Sequence, residues 1–301
     1  MSDRAIGIDL GCTRIKAVVI NESGNTLGQL VLPTGEGEDT PWKNAVGEAV
    51  RTLQTQTGSH DAPVGMSAPG LPNAGNTAIA FMPGRLQGLE NLVWSDFLKT
   101  KTYVLNDAIA ALLAEARLGA ARNKRNVVML TLGTGVGGAI LIEGKAYQGA
   151  FNKAGHIGHI VIDSDGEPDI IGIPGSLEDA IGECTLEKRS EGRFNSTSAL
   201  LAAIKSGDPQ AEGIWMTSVK KLAIGLASLT NILSPEMIIL GGGITEAGRA
   251  LFDPLEKFME RYEWRAGGHK TTLVKAECGE MAGAAGAAIF AMETSKSQLS
   301  H

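Results

Sequence analysis

The chain has 301 residues, of which 43% are hydrophobic and 20% are charged, and its formal net charge is −6. This composition is typical of a globular protein with one large domain or two medium ones, and the acidic balance argues against a nucleic-acid-binding face. No apolar run approaches the ~20 residues of a membrane span, and the first residues lack the apolar core of a signal peptide. The sequence therefore predicts a cytoplasmic protein without membrane or nucleic-acid partners. The cysteines are few and far apart, which excludes a disulfide framework and a CxxC zinc site.

The first third of the chain predicts a hairpin, a further strand and helices. Apolar runs on both sides of Asp9–Gly11 predict two strands that end at the turn Asn21–Gly24. Proline, glycine and the spacing of apolar residues set the later boundaries. In chain order the sequence predicts a strand over Gly28–Leu32, a helix over Pro41–Gln56, a strand over Pro63–Met66, a loop over Ser67–Pro83, a strand ending at Val104–Leu105 and a helix over Asp107–Ala120.

A second hairpin follows, with strands over Asn126–Leu132 and Ala139–Ile142 around the turn Gly133–Gly138. Far downstream, apolar residues at helical spacing predict a long helix that stops before Pro235. A buried strand over Met237–Leu240 then leads into three glycines and another helix. The recurrence of a hairpin-bearing sheet predicts two related α/β halves that face a cleft.

Three glycine-bearing turns follow predicted strands: DLGCT (9–13), LGTGVGG (132–138) and LGGGI (240–244). Glycine permits close approach of the backbone to a ligand, and successive N–H groups in such turns can hold a phosphate. Any one of these turns could instead be a plain tight connection, but the three together favour phosphate binding. Asp9, in the first turn, stands where a carboxylate could hold a hydrated Mg²⁺ ion.

Two common nucleotide motifs are excluded. Gly133, Gly135 and Gly138 match GxGxxG, but a strand follows them, whereas a dinucleotide fingerprint must open a helix. The nearest match to a Walker A sequence, Gly70–Thr77, carries Asn76 in place of the lysine.

The segments IDLGCTRIKAVVI, LNDAIAALLAEARLG, LTLGTGVGGAILIEGKAYQG, AGHIGH, GSLE and ILGGGI, in this order, resemble the ROK family of bacterial sugar kinases over about Ala5–Ala291. The resemblance implies an α/β actin-like ATPase (ribonuclease H-like) fold with two lobes around a central cleft. It also implies binding of ATP and Mg²⁺ and transfer of the γ-phosphate to a sugar hydroxyl.

Site residues are carried over by the same resemblance. Asp107 corresponds to the general base, which is chemically sensible because the attacking hydroxyl must lose a proton. Since Asp107 also heads a predicted helix, its alternative role is an N-cap. Asn106 corresponds to its sugar-binding neighbour. The resemblance assigns nucleotide binding to Asp9, Gly11, Thr13 and Lys16 in the first turn, to Gly133, Thr134 and Gly135 in the second, and to Gly241, Gly242 and Gly243 beside the adenosine.

The chain departs from the family at two places. The family's zinc-binding cysteines correspond to Asp169, Ile171 and Ser176, so we expect no structural zinc, although His159 keeps the family's histidine position. His156 replaces a sugar-binding glutamate. We expect His156, His159 and Glu178 to bind the sugar; for either histidine the alternative is a structural residue of the core.

The sequence thus predicts an ATP-dependent hexose kinase acting on the 6-hydroxyl of glucose or a close relative. The alternatives are a kinase for fructose, mannose, N-acetylmannosamine or N-acetylglucosamine, and a non-catalytic sugar-sensing regulator. The predicted lobes are residues 1–106, completed by a C-terminal helix at about 281–301, and residues 107–280. The resemblance favours a homodimer.

Overall fold

The computed structural model describes residues 3–35, 40–82 and 86–298. Its strands are β1 Arg4–Leu10, β2 Arg14–Asn21, β3 Thr26–Pro33, β4 Val64–Ala68, β5 Leu71–Pro72, β6 Ile79–Phe81, β7 Thr102–Asn106, β8 Val127–Leu132, β9 Val136–Ile142, β10 Lys145–Ala146, β11 Met237–Gly241 and β12 Thr272–Lys275. Its α-helices are α1 Pro41–Thr57, α2 Trp94–Leu98, α3 Asp107–Arg117, α4 Leu177–Ile181, α5 Leu186–Arg189, α6 Thr197–Lys205, α7 Pro209–Leu233, α8 Arg249–Tyr262 and α9 Ala282–Ser297. Among these helices, none is both long and apolar enough to cross a bilayer.

The chain divides into two compact units, and the division falls later than the predicted boundary between residues 106 and 107. Helix α3 belongs to the first unit because it packs along α9, which also covers β1 and β4. The first unit contains the described residues of Met1–Asn123, Ala146–Ala154 and Ala276–His301, and the second contains Lys124–Lys145 and Gly155–Lys275.

The first unit is built on a five-stranded sheet in the order β3-β2-β1-β4-β7. Strands β1, β2 and β3 are antiparallel, whereas β4 and β7 run parallel to β1. Alternation along β1 sends Ile6 and Ile8 into a core that also contains Val46 of α1. Gly7 faces the other way, towards α9, where its missing side chain allows the backbone of Ala284 to approach closely.

The second unit repeats this arrangement around the sheet β10-β9-β8-β11-β12. Strands β8 and β9 form an antiparallel hairpin, and β11 and β12 run parallel to β8. Val128 and Leu130 share a core with Val219 and Leu222 of the long helix α7. The matching strand directions agree with the predicted recurrence of a hairpin-bearing sheet.

Local differences from the predictions have local causes. The predicted loop Ser67–Pro83 contains the short antiparallel pair β5–β6, and Pro83 itself lies outside the described residues. Helix α3 ends at Arg117, before the predicted Ala120, because the chain turns there: the Ala120 N–H donates to Glu115 Oε2 at 2.8 Å.

Candidate functional site

The first glycine-bearing turn joins β1 to β2 and places Asp9 beside Lys16. The two residues are opposite each other in the hairpin register, with 4.0 Å between Lys16 Nζ and Asp9 Oδ2. Ser67 on β4 pairs with Asp9 in the parallel register, and its hydroxyl donates to Asp9 Oδ1 at 2.9 Å. Burial raises the pKa of Asp9, while the Ser67 hydrogen bond and the Lys16 charge lower it in part.

The rest of this turn is held by backbone bonds and by the start of α9. The Gly11 N–H donates to Arg14 O at 3.1 Å, and the Thr34 N–H donates to Thr13 O at 3.0 Å. Lys16 Nζ also donates to the Glu280 carbonyl at 2.8 Å. A side chain at Gly283 would meet the Asp9 carboxylate at 2.7 Å, so only glycine leaves room for it.

Asn106 and Asp107 stand at the end of β7 and divide two roles between them. Asn106, buried, is the N-cap of α3: its Oδ1 accepts the Ala108 N–H at 3.0 Å and its Nδ2 donates to Gly70 O at 3.1 Å. Asp107 is the first residue of the helix, and its Oδ1 also accepts the Ala108 N–H, at 2.8 Å. The N-cap that the sequence left as an alternative for Asp107 therefore belongs chiefly to Asn106.

The Asp107 carboxylate is exposed to solvent and yet has a strongly perturbed pKa. Desolvation by surrounding protein, and after it the charge of Asp9, raise its pKa to about 6 against the opposing effect of hydrogen bonding to Ala108 and Asn106. At neutral pH such a carboxylate is ionised and has the proton affinity of a useful general base.

In the second unit, the turn between β8 and β9 is fixed by the segment that follows α4. The Glu183 N–H donates to Gly133 O at 2.9 Å, and the Cys184 N–H donates to Thr134 O at 2.8 Å. Glu178 on α4 accepts the Val136 N–H through Oε2 at 2.8 Å. A methyl group at Gly135 would lie 2.3 Å from the same oxygen. The second glycine-bearing turn and Glu178 thus form one hydrogen-bonded assembly.

The third glycine turn follows β11 and approaches the end of β8. Gly242 adopts φ 86°, and a Cβ there would lie 2.3 Å from Leu132 O. Its carbonyl accepts hydrogen bonds from the Thr245 N–H at 3.1 Å and the Thr245 hydroxyl at 2.7 Å. Gly242 and Gly243 are exposed, which leaves their backbone accessible to a ligand.

Of the two histidines of AGHIGH, His159 ends the 3₁₀ turn Ile157–His159 and His156 immediately precedes this turn. His156 is half-buried, and His159 Nδ1 lies 3.0 Å from Asp169 Oδ2. Ser176, at another of the former cysteine positions, caps α4 by accepting the Asp179 N–H at 3.2 Å. Among the described residues, no group of three or more His, Cys, Asp or Glu side chains is placed to hold a metal ion.

The sequence missed two residues that organise the site. Ser67 lies in the predicted loop just after the strand Pro63–Met66, and the parallel pairing with β1 that brings it to Asp9 is a tertiary feature. For Asp169 the sequence predicts only that it stands at a cysteine position of the family, because nothing in its neighbourhood signals the approach of His159.

The match to known proteins extends over almost the whole chain. The model of the ROK family matches residues 5–294. This chain belongs to the ROK family. A glucokinase from Streptomyces coelicolor is 32% identical over 96% of this chain and 97% of its own.

Two solved structures support the fold at similar coverage. The ROK hexokinase from Thermus thermophilus superimposes with a TM-score of 0.88, at 29% identity over 98% of this chain and 99% of its own. The ROK family glucokinase from Streptomyces griseus, in complex with glucose and AMPPNP, has a TM-score of 0.78 at 28% identity over 96% and 99%. The predicted α/β actin-like ATPase fold is confirmed by these likenesses.

Proposed function

We propose that this chain is an ATP-dependent sugar kinase that transfers the γ-phosphate of ATP to a hexose hydroxyl, with the 6-hydroxyl of glucose as the first candidate. The glucokinase relative and the neighbour that binds glucose and AMPPNP, an ATP analogue, support this proposal. The observation that carries it is Asp107, a carboxylate with a pKa raised to about 6 at the start of α3, where a hydroxyl can reach it.

In the proposed reaction the sugar hydroxyl gives its proton to Asp107 as its oxygen attacks the γ-phosphorus. The new oxygen–phosphorus bond forms while the bond from the γ-phosphorus to the bridging oxygen of ADP breaks, and ADP leaves with that electron pair. Asp107 then returns the proton to solvent. A positioned base of this kind contributes roughly 10²–10⁴-fold to the rate.

The glycine turns supply the nucleotide contacts in this proposal. Lys16 supplies positive charge to phosphate oxygens, the turns that carry Gly11 and Thr13 in the first unit and Gly133–Gly135 in the second lie against the phosphates, and Gly241–Gly243 lie beside the adenosine. The partly exposed carboxylate of Asp9 fits a Mg²⁺ ion, which takes one or two carboxylates together with water and phosphate oxygens. Bound there, Mg²⁺ would neutralise charge on the transferred phosphate.

Sugar binding is proposed for Asn106, His156, His159 and Glu178. Asn106 Nδ2 keeps a second N–H beyond the one that it gives to Gly70, and this N–H can donate to a sugar hydroxyl. Glu178 keeps Oε1, since Oε2 accepts the Val136 N–H. His156 offers one donor or acceptor per ring nitrogen and no fixed negative charge, which differs from a glutamate at that position.

A coupled ADP-release assay over glucose, mannose, fructose, aminosugars and N-acetyl sugars tests the function. We expect turnover with glucose. A strong preference for an N-acetylhexosamine would make that sugar the acceptor and keep the protein a kinase, and sugar binding without any ADP release would favour a sensing role.

The same panel of sugars tests His156. In the variant His156→Glu, the ranking of sugars that differ at carbons 1 and 2 should change, with little change in the KM for ATP.

We also propose a cytoplasmic homodimer with a Mg²⁺ requirement and no nucleic-acid partner. These expectations rest on composition and on the family resemblance. Gel filtration with light scattering would test the dimer directly.

A further inference from the structure

Asp169 is a buried carboxylate whose hydrogen bonds join two parts of the second unit. Its side chain has no exposed surface, and Oδ1 accepts the N–H groups of Ile171 and Ile173, both at 2.9 Å. Oδ2 lies 3.0 Å from His159 Nδ1, and Ser176 is near enough to the carboxyl group to lower its pKa. Every contact is made within the second unit.

These bonds tie together the segments that carry two proposed sugar-binding residues. His159 ends the 3₁₀ turn, and Ser176 is the N-cap of α4, whose first turn contains Glu178. The two segments also pair directly through the Leu177 N–H, which donates to Ile160 O at 3.0 Å. Asp169 therefore contacts His159 directly and lies near Ser176, the N-cap of the helix that carries Glu178, without belonging to either segment.

The charge state of Asp169 determines which ring nitrogen of His159 carries the proton. Burial raises the pKa of Asp169, but the hydrogen bonds from Ile173, His159, Ile171 and Ser176 outweigh it, and the pKa lies below its ordinary value. An ionised carboxylate only accepts hydrogen bonds, so Nδ1 of a neutral His159 must be the donor. Nε2 is then unprotonated and can accept.

We propose that Asp169 is a positioning residue for sugar binding: it fixes the orientation and tautomer of His159 so that Nε2 accepts a hydrogen bond from a sugar hydroxyl. This inference rests on the proposed function, because it assigns a sugar contact to His159. A carboxylate that orients a ligating histidine through its other nitrogen is common in metal sites, and its loss there costs about 10–100-fold in affinity or activity. Here the ring is only 26% exposed, and its ligand is an organic hydroxyl.

Asp169→Asn is the sharpest test, since the amide oxygen can still accept from Ile171 and Ile173. Its NH₂ group would face His159 and donate to Nδ1, which moves the ring proton to Nε2 and turns an acceptor into a donor. We expect the sugar KM to rise at least about 10-fold, the range seen for such outer residues, with the KM for ATP unchanged. Nitrogen-15 NMR of the histidine rings should show Nδ1–H in the wild type and Nε2–H in the variant.

Asp163→Asn is the matched control, because Asp163 is a partly exposed carboxylate near the same segment and pairs with Lys221 at 2.9 Å. It should leave both the His159 tautomer and the sugar KM unchanged. If Asp169→Asn does not fold, two wild-type measurements decide: the Nδ1–H tautomer, and a shift of the His159 Nε2 resonance on adding glucose.

The role of Asp169 and the proposed kinase activity can each fail separately. Wild-type His159 protonated on Nε2, or a switched tautomer with an unchanged sugar KM, overturns the role of Asp169 while kinase activity stands. A wild type that neither binds nor phosphorylates any hexose removes the proposed function, and the inference with it.

Discussion

Two adjacent residues, Asn106 and Asp107, show how one strand end can serve both structure and chemistry. Asn106 is the buried N-cap and shares the Ala108 N–H with Asp107, so Asp107 is not needed as the cap itself. Asp107 is instead placed near the charge of Asp9 in partly desolvated surroundings, which costs stability and raises its pKa. Catalytic sites commonly keep an ionisable group in surroundings that shift its pKa and reduce the stability of the fold.

Asp107→Asn should lose at least ~10²-fold in kcat while retaining glucose binding, because the amide keeps the shape but cannot accept the proton. The variant should also melt at a higher temperature than the wild type at pH 8. The folded pKa of about 6 exceeds the ordinary value, so the ionised form disfavours folding above pH 6 and has no effect once both states are protonated. Steady-state kinetics, glucose titration and thermal melts at pH 8 measure these effects; near-normal turnover in a folded variant would exclude Asp107 as the base.

The pH dependence of activity follows from the same carboxylate. The base must be ionised, and its raised pKa moves the acidic loss of activity up from the usual range of an aspartate to about pH 6. We expect kcat/KM for the sugar to fall as the pH drops through this value, with the fold intact by circular dichroism. The residual kcat/KM of Asp107→Asn should not fall in this pH range. A wild-type kcat/KM that falls only near pH 4 would contradict the assignment.

For single residues, the sequence predicts that Asp9, Asn106 and Asp107 belong to the site, but it does not predict which of Asn106 and Asp107 caps α3. Asparagine and aspartate both cap helices, and which one caps depends on where the strand ends, to within one residue. The support from Ser67 depends on the parallel pairing of β1 with β4, which brings together residues far apart in the sequence.

At the scale of elements, α9 is the helix whose composition explains its packing most directly. It is packed on more than one side, against β1 and β4 and against α3, and its sequence AGAAGAAIFA presents small residues to all of them. A Cβ at Gly65 would lie 1.8 Å from Ala287 O, and one at Gly286 would lie 1.6 Å from Ala110 O. Backbone therefore contacts backbone at these glycines.

Gly286→Ala should destabilise the protein by about 1–3 kcal/mol or more, because the new methyl group must displace the backbone of α3. Gly213→Ala is the matched control within another helix, α7, where no atom lies within 4 Å of the added Cβ. It should stabilise by roughly 0.5–1 kcal/mol through helix propensity. Urea unfolding of the two variants measures the contrast, and equal effects would refute the close packing of α9.

Regular elements could be predicted from periodicity, and irregular ones could not. The hairpins, α1 and α7 follow from alternation, helical spacing and proline. The segment between residues 163 and 176 has no periodicity, and its shape depends on Asp169, whose hydrogen bonds reach forward to Ile173 and back to His159. The pair β5–β6 was missed because its strands are shorter than any pattern of alternation can reveal.

At the scale of the whole molecule, each unit carries its proposed site residues at the carboxyl ends of the parallel strands of its own sheet. In the first unit Asp9, Ser67 and Asn106 lie at the carboxyl ends of the parallel strands β1, β4 and β7. In the second, the turns after β8 and β11 supply Gly133–Gly135 and Gly241–Gly243. Ligands of open α/β sheets bind at such strand ends, so one topology used twice accounts for where the proposed contacts lie.

The whole protein should fold and act without structural zinc. The residues at the family's three zinc-binding cysteine positions have other roles here. Asp169 accepts backbone N–H groups and contacts His159, Ser176 caps α4, and Ile171 is an exposed apolar side chain. We expect elemental analysis to find no stoichiometric zinc after dialysis and a chelator to leave the melting temperature unchanged, while catalysis still needs Mg²⁺. A variant that combines Asp169→Cys, Ile171→Cys and Ser176→Cys provides the control: three thiolates with His159 form a Cys₃His donor set, which should bind zinc and make stability sensitive to the chelator. About one zinc per wild-type chain would show that hydrogen bonds do not hold this segment alone.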